Sequence, residues 1–326
     1  MTALAYLLEE STNPFHNLAV ERFLLENVPT GTCWLYLWQN KHTVVIGRNQ
    51  NCWAECKTAA LERDGGHLVR RLSGGGAVYH DDGNLNFTFL ANKADYDLPR
   101  QLSVIVRALQ SLGFTAAISG RNDIEVDGRK VSGNAFYTHG NKKYHHGTIL
   151  VNVQAANMQK YLTVSTAKLA AKGVASVQAR IINLKDLQPQ LTLTELKASL
   201  LNAFAEVYQA TPAQLTEACL DATTIKSYTD EFASDSWRFG RRLPFTWETC
   251  HRFDWGEIRL QCTVDEGKIK EAELYSDAME WEAFADAGKL FSGCAFSSTA
   301  MAAAAARLSD EHLGAELSAY LLSLDI

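Results

Sequence analysis

The stretch Gly120-Arg121-Asn122-Asp123-Ile124-Glu125-Val126-Asp127-Gly128-Arg129-Lys130-Val131-Ser132-Gly133-Asn134-Ala135 carries the clearest architectural signal in the chain. Asp127-Gly128 lies between two alternating runs, and a two-residue type I′ turn needs residues that tolerate positive φ at both central positions. Such a turn pairs Val126 with Arg129, Glu125 with Lys130, Ile124 with Val131 and Asp123 with Ser132. Because successive strand residues face opposite ways, Ile124, Val126 and Val131 fall on one face and Asp123, Glu125, Lys130 and Ser132 on the other. The first face suits a core wall. The second leaves two uses open. It is either a cross-strand ion pair on a solvated edge, or a site where Asp123 organises Mg²⁺ or phosphate and Lys130 is a point charge for an anionic centre.

Fifty residues upstream lies Arg70-Arg71-Leu72-Ser73-Gly74-Gly75-Gly76-Ala77-Val78-Tyr79-His80-Asp81-Asp82-Gly83-Asn84-Leu85-Asn86-Phe87. Three glycines between strand-like segments let backbone N–H groups turn toward an anion and let it approach closely. The same glycines beside a solvated arginine pair also make an ordinary flexible turn. Familiar phosphate motifs fail here. Tyr79 stands where the last glycine of a dinucleotide fingerprint belongs, and no Walker-type lysine follows the glycines. Ser73 has no nucleophile elbow around it. Downstream, in Lys142-Lys143-Tyr144-His145-His146-Gly147-Thr148, adjacent histidines on a strand point to opposite faces and make a poor metal pair.

The surrounding chain reads as mixed α/β or α+β rather than a regular βαβ series. Strands are expected at Trp34–Trp38, Thr43–Ile46, within His67–Ala91 and within Ile124–Val153. Helices are expected at Asn17–Val28 after Pro14, Ala54–Arg63, Leu98–Leu112, Leu193–Tyr208 and Pro212–Ala222. The aromatic and charged stretch Thr229–Thr249 reads as a domain seam, followed by a hairpin around Asp265-Glu266-Gly267, an alanine-rich helix at Thr299–Leu308 and a last helix from Glu311. The 326 residues suggest about two domains.

Hydrophobic residues make up 47% and charged residues 21%, enough for a substantial core. A net charge of −6 gives no global positive field, so neither nucleic acid nor an anionic membrane is expected as a partner. The N-terminal residues lack a basic leader and no apolar run is long enough to span a bilayer, which points to the cytoplasm. Seven scattered cysteines without a C-x-x-C pair fit reduced thiols. Cys52 and Cys56 could share a metal, but nothing completes four ligands.

Together these segments resemble the lipoate–protein ligase family, in its single-chain bacterial form. Arg70–Phe89 resembles the signature R-R-x-S-G-G-G-A-V-[FY]-H-D-x-G-N, and Gly120–Ala135 resembles G-R-N-D-[IL]…G-R-K-[VI]-S-G-x-A. Asn13–Glu21, Thr43–Asn51, His145–Thr148 and Lys168–Val177 extend the match. The resemblance implies an α+β (mixed α/β) fold like that of biotin–protein ligases, with mixed β-sheets flanked by helices. It also implies a lipoate-adenylating catalytic domain over residues 1–244 and a small α+β accessory domain over 245–326.

The implied reaction activates lipoate with ATP to lipoyl-AMP, releases pyrophosphate, and transfers the lipoyl group to a lysine of an acceptor domain. The implied catalytic residue is Lys130. ATP would be bound by Arg71, Gly76, Ala77, Val78, Tyr79, Lys130, Asn122, Asp123 and Lys172, with Asp123 also holding Mg²⁺. Lipoate would meet Lys130, Arg71, Ser73, Gly76, His80 and His146. The implied partners are lipoyl domains of 2-oxoacid dehydrogenase E2 subunits and the glycine-cleavage H protein, met by a monomer. Thr88 replaces the usual serine, Asn134 stands where some relatives carry serine, and the turn before Lys130 is unusually tight. Two other classes are an ATP-independent octanoyl or lipoyl transferase, which would need a cysteine nucleophile, and a non-catalytic lipoate-binding module, which would need no phosphate site.

Overall fold

A computed structural model describes residues 2–120, 123–163, 181–216, 219–240 and 243–326. Asn122, Lys172 and the segment Lys168–Val177 lie outside the described residues. Contacts group the chain into two compact units. The first comprises Met1–Val45, Cys56–Val69 and Val78–Arg238, and the second Ile46–Glu55, Arg70–Ala77 and Phe239–Ile326. The glycine segment is thus grouped with the C-terminal residues rather than with the hairpin.

The strands in chain order are β1 (Ala3–Leu8), β2 (Thr32–Trp38), β3 (Thr43–Ile46), β4 (His67–Arg70), β5 (Val78–His80), β6 (Asn84–Asn92), β7 (Ala116–Ser119), β8 (Asp123–Val126), β9 (Arg129–His139), β10 (Lys142–Leu150) and β11 (Ala213–Gln214). The first unit is built on an eight-stranded sheet of order β11-β1-β2-β6-β10-β9-β8-β7. It is mixed, because β1 runs parallel to both β2 and β11 while β2, β6, β10, β9, β8 and β7 pair antiparallel in succession. A small sheet of order β4-β3-β5 accompanies it.

Four helices matter most: α1 (Pro14–Asn27), α2 (Leu98–Ser111), α3 (Leu193–Tyr208) and α4 (Ala222–Ala233). Each begins where a side chain accepts the N–H groups that the first turn cannot bond internally. Asn13, Asp97, Thr192 and Asp221 are these caps, and Thr192 with Glu195 forms a capping box. On β6, Leu85, Phe87 and Phe89 alternate with Asn84, Asn86 and Thr88. The apolar set joins Leu35, Leu37, Ile149, Ile105, Leu109, Leu196, Leu200 and Phe204 in one core between sheet, α2 and α3. Burial of each such side chain contributes roughly 1.5–3 kcal/mol.

Three expectations are corrected. The helix Ala54–Arg63 is split into Cys52–Glu55 and Thr58–Arg63, because Cys56 bridges to Leu162 and the Lys57 N–H donates to the Tyr161 carbonyl. Among the described residues, 212–216 are not helical. Ala213 and Gln214 instead pair with Ala5 and Tyr6 at the open edge of β1, and helix starts only at the Asp221 cap. The seam therefore begins inside α4.

In the second unit, β12 (Trp247–Arg252), β13 (Glu257–Asp265) and β14 (Lys268–Ser276) form an antiparallel meander. The expected hairpin is present, turning at Glu266 and Gly267 with φ of 48° and 69°. Helices α5 (Ser298–Ala305) and α6 (Glu311–Leu322) complete a core of Ile258, Leu260, Phe291, Met301, Leu317 and their neighbours. No helix among the described residues is long and apolar enough to cross a membrane.

Candidate active site

The β8–β9 turn has φ of 50° at Asp127 and 73° at Gly128, as a type I′ turn demands. Val126 pairs with Arg129 and Glu125 with Lys130, but the register then slips, and Ile124 faces Ser132 while Asp123 faces Gly133. Val131 is the extra residue of a β-bulge. Two expectations change as a result. Ser132 joins Ile124 on the buried side instead of sharing a face with Asp123, and Gly133 takes its place opposite Asp123. The hairpin is also not an edge, since β7 lies outside β8. The Lys130 Nζ sits 2.7 Å from Asp123 Oδ1, with the two side chains 36% and 33% exposed. The Lys130 carbonyl accepts the Ile182 N–H at 3.0 Å.

The face of the sheet opposite the core holds a second constellation. Register places Ala135 of β9, His146 of β10 and Thr88 of β6 side by side, with Tyr36 of β2 next in the row and Trp38 two residues further along β2. The Trp38 indole N–H donates to Thr88 Oγ1 at 3.0 Å, and that hydroxyl donates to Glu21 Oε1 at 2.7 Å. The same Glu21 oxygen lies 2.9 Å from His146 Nδ1. Glu21 comes from α1 and is 1% exposed, so its carboxyl group is satisfied by these partners rather than by water. A carboxylate on Nδ1 fixes the ring's orientation and the tautomer it presents. His80 lies edge-on to Trp38 at 6.4 Å, with its Nδ1 3.3 Å from Asn40 Nδ2. His80 thus meets Trp38 directly, while His146 is linked to it through Glu21 and Thr88.

His145 points the other way, as alternation requires. Its Nε2 lies 2.8 Å from Asn134 Oδ1, inside rings of Phe87, Phe89 and Phe136. Burial, reinforced by the neighbouring His146, pulls its pKa down to about 3, so it is a neutral core residue. Tyr79 has its ring stacked on Tyr161 at 5.9 Å, and burial followed by the Asp81 charge pushes its hydroxyl up to about 12. Val78 and Tyr79 pair with Val45 and Val44 as a strand. A cavity of about 610 Å³ is lined by Lys41, Tyr79, Asn152, Tyr161 and Lys185 among others, and of the sequence-nominated residues it takes only Tyr79.

Within the second unit the two arginines divide their work. Arg70 is buried and donates to the carbonyls of Gly47, Arg48, Gln50 and Phe239, and burial lowers its pKa to about 10. It staples loops together. Arg71 donates from Nε to Ser73 Oγ at 3.0 Å and from Nη2 to the carbonyls of Gly74 at 2.7 Å and Gly76 at 2.9 Å. The guanidinium closes the glycine segment on itself. Gly75, at a φ of 90° that favours glycine, donates its N–H to the Ala278 carbonyl at 3.0 Å. Among the described residues no three His, Cys, Asp or Glu side chains gather as a metal cage, and Cys52 and Cys56 fall in different units.

Residues 13–205 match the lipoyl protein ligase A/B catalytic domain family, and residues 243–320 match the bacterial lipoate protein ligase C-terminus. The chain belongs to the lipoyl protein ligase A/B family. It is 42% identical to a lipoate-protein ligase A of Psychrobacter cryohalolentis over 290 residues, which cover 86% of this chain and 85% of that protein. Among solved structures, P. falciparum LipL1 in complex with lipoate aligns over 98% of this chain and 99% of its own, with a TM-score of 0.84 and 27% identity. A lipoate-protein ligase A bound with ATP shares the fold, with a TM-score of 0.61 and 24% identity over 74% of this chain and 99% of its own.

For a lipoyl protein ligase, the residue that sequence reasoning passed over is Glu21. A usable signal existed, since a carboxylate sits between Leu18-Ala19-Val20 and Phe23-Leu24-Leu25 on a helix that is otherwise buried there. Thr88, noted only as a departure, carries the hydrogen bond that joins Trp38 to Glu21. Asn134, the other departure, serves His145 in the core.

Proposed function

We propose that this protein is an ATP-dependent lipoate–protein ligase that makes lipoyl-AMP and passes the lipoyl group to a lysine of lipoyl acceptor domains. The observation that carries the reading is one sheet face bearing Lys130 at the hairpin and Trp38, Thr88 and His146 toward its middle. Such a face offers a cation for an anionic head group and an indole-lined, hydrogen-bonded end for an apolar tail.

A free carboxylate is a poor acyl donor because oxide would have to leave. Its oxygen therefore attacks the α-phosphorus of ATP, the bond to the β-phosphate oxygen breaks, and pyrophosphate departs. Lys130 meets the charge that builds on the phosphoryl oxygens. Arg71, Gly76, Ala77, Val78, Tyr79, Asn122 and Lys172 belong to the nucleotide in this reading, and Ser73, His80 and His146 to lipoate. Mg²⁺ would arrive on the triphosphate, with Asp123, the hairpin carboxylate paired with Lys130, beside it, consistent with a metal held mainly by phosphates and water. The acceptor amine then attacks the acyl carbon and AMP leaves with the electron pair of the broken anhydride bond. The amine's proton passes to His80 or to a phosphate oxygen. The acceptors are E2 lipoyl domains and H protein, the protein acts as a monomer, and the reaction belongs to the cytoplasm.

A cysteine-dependent transferase fits less well. Cys33 of β2 lies on the core side, and burial pushes its thiol up to about 12. The test is to incubate the protein with lipoate and a lipoyl acceptor domain, with and without Mg·ATP, and weigh the acceptor. Lipoylation only with ATP is expected. Modification from an acylated carrier without ATP would establish the transferase instead.

A further inference from the structure

The bulge at Val131 sets what lies beneath the side chain of Lys130, the residue just before it. An unbulged hairpin would set the Ser132 side chain opposite Asp123, beneath the path of Lys130. The observed register sets Gly133 there instead. A β-carbon added to Gly133 would stand 3.0 Å from Lys130 Nζ and 3.1 Å from its Cε, so the end of the lysine lies directly over the bare α-carbon. From there Nζ reaches Asp123 Oδ1 at 2.7 Å, across the pair that the slip created. Gly133 does not occupy the left-handed region, so its backbone conformation does not by itself demand glycine. Close approach of the ammonium does. Bulges commonly re-aim one side chain in this manner.

We propose that Asp123 and Gly133 form a cradle that positions Lys130. Asp123 is the counter-ion of the ammonium before substrate arrives, Gly133 is the floor that lets it lie flat, and the incoming anionic head group replaces Asp123 on Nζ. Both are positioning residues. The proposal rests on the reading of Lys130 as the charge that meets the acyl and phosphoryl oxygens, and it assigns Asp123 a duty separate from any metal. Since an ion pair this exposed contributes little to stability, Asp123→Asn should fold normally. Gly133→Ala should fold as well, because the added β-carbon meets only the flexible end of Lys130, which must leave its place over the α-carbon.

The test uses the full chain as wild type, Asp123→Asn and Gly133→Ala. In the ligand-free proteins, brief labelling with acetic anhydride and peptide mass spectrometry reads the reactivity of each lysine. Lys130 should label several-fold faster in both variants, because its amine is no longer held, while the other lysines label as before. Lipoate-dependent ATP–pyrophosphate exchange at saturating substrates should fall at least about tenfold in both, since misplacing a group by about 1 Å can cost on the order of a hundredfold. Raising Mg²⁺ should not restore Asp123→Asn. Unchanged Lys130 labelling in both variants would overturn the cradle. So would normal exchange in both, or full recovery of Asp123→Asn by Mg²⁺, which would make that carboxylate a metal ligand only. If the wild type shows no lipoate-dependent exchange, the ligase reading fails, and the labelling still decides the cradle.

Discussion

The hairpin around Lys130 and the segment around Arg71 each hold a cation in place, by opposite means. In the hairpin, strand pairing fixes the backbone and the ammonium leans on one partly exposed carboxylate. In the glycine segment the guanidinium itself fixes the backbone, through Ser73 and the carbonyls of Gly74 and Gly76, while Arg70 binds four more carbonyls. The first cation can be removed without loosening anything. Removing either arginine takes a donor away from several backbone carbonyls at once. In the proposed ligase the lysine serves the chemistry, whereas the arginines serve the architecture first.

That contrast can be broken in four ways, taken from the largest expected effect downward. Lys130→Ala should lower lipoate-dependent pyrophosphate release by about 10²–10³-fold, the scale of a lost transition-state donor. Its thermal midpoint should stay within a degree or two. A large loss of midpoint would make the lysine structural.

The second lies on the reverse side of β10. His145 holds a pKa of about 3 in the folded chain against 6.5 for an ordinary histidine. Because the folded value is depressed, the unfolded chain binds more protons between those limits. Stability is then full above pH 6.5 and is lost as the pH falls toward 3. His145→Phe should shrink the loss of unfolding free energy between pH 7 and pH 4 by on the order of 3 kcal/mol. Parallel denaturation curves at the two pH values for both proteins would check this, and an equal loss in both would refute it.

Third, Arg70→Lys keeps a positive charge but cannot span the carbonyls of Gly47, Arg48, Gln50 and Phe239. Chemical denaturation should show a loss of about 1–3 kcal/mol. Fourth, Gly128→Ala places a side chain at a φ of 73°. It should cost about 1 kcal/mol and leave exchange activity nearly intact, since the pairing of Glu125 with Lys130 survives.

The hairpin turn was legible because two consecutive positive-φ positions leave few residue choices, and Asp127-Gly128 satisfies them. The bulge was not. Nothing local to Val131-Ser132 announces the slip, which leaves Ile124 and Val131 in a core assembled with distant helices and Ser132 buried opposite Ile124. The opposite facing of His145 and His146 followed from strand periodicity alone. Their partners did not, because Glu21 reaches His146 across 125 positions of sequence. At residues 212–216, Pro212 followed by helix-forming residues is a local helix signal, and the open edge of β1 overrides it. The arginines beside the glycines were recognisable as charge, but their carbonyl partners depend on how the loop closes.

The central claim, activation of lipoate as its adenylate, is tested most directly without any acceptor. The protein is mixed with lipoate and Mg·ATP, quenched, and assayed for lipoyl-AMP and pyrophosphate per protein molecule. The account predicts that both appear together, in about a single equivalent retained by the wild type and in neither form with Lys130→Ala. A wild-type protein that leaves lipoate and ATP unreacted, forming neither lipoyl-AMP nor pyrophosphate, would contradict it.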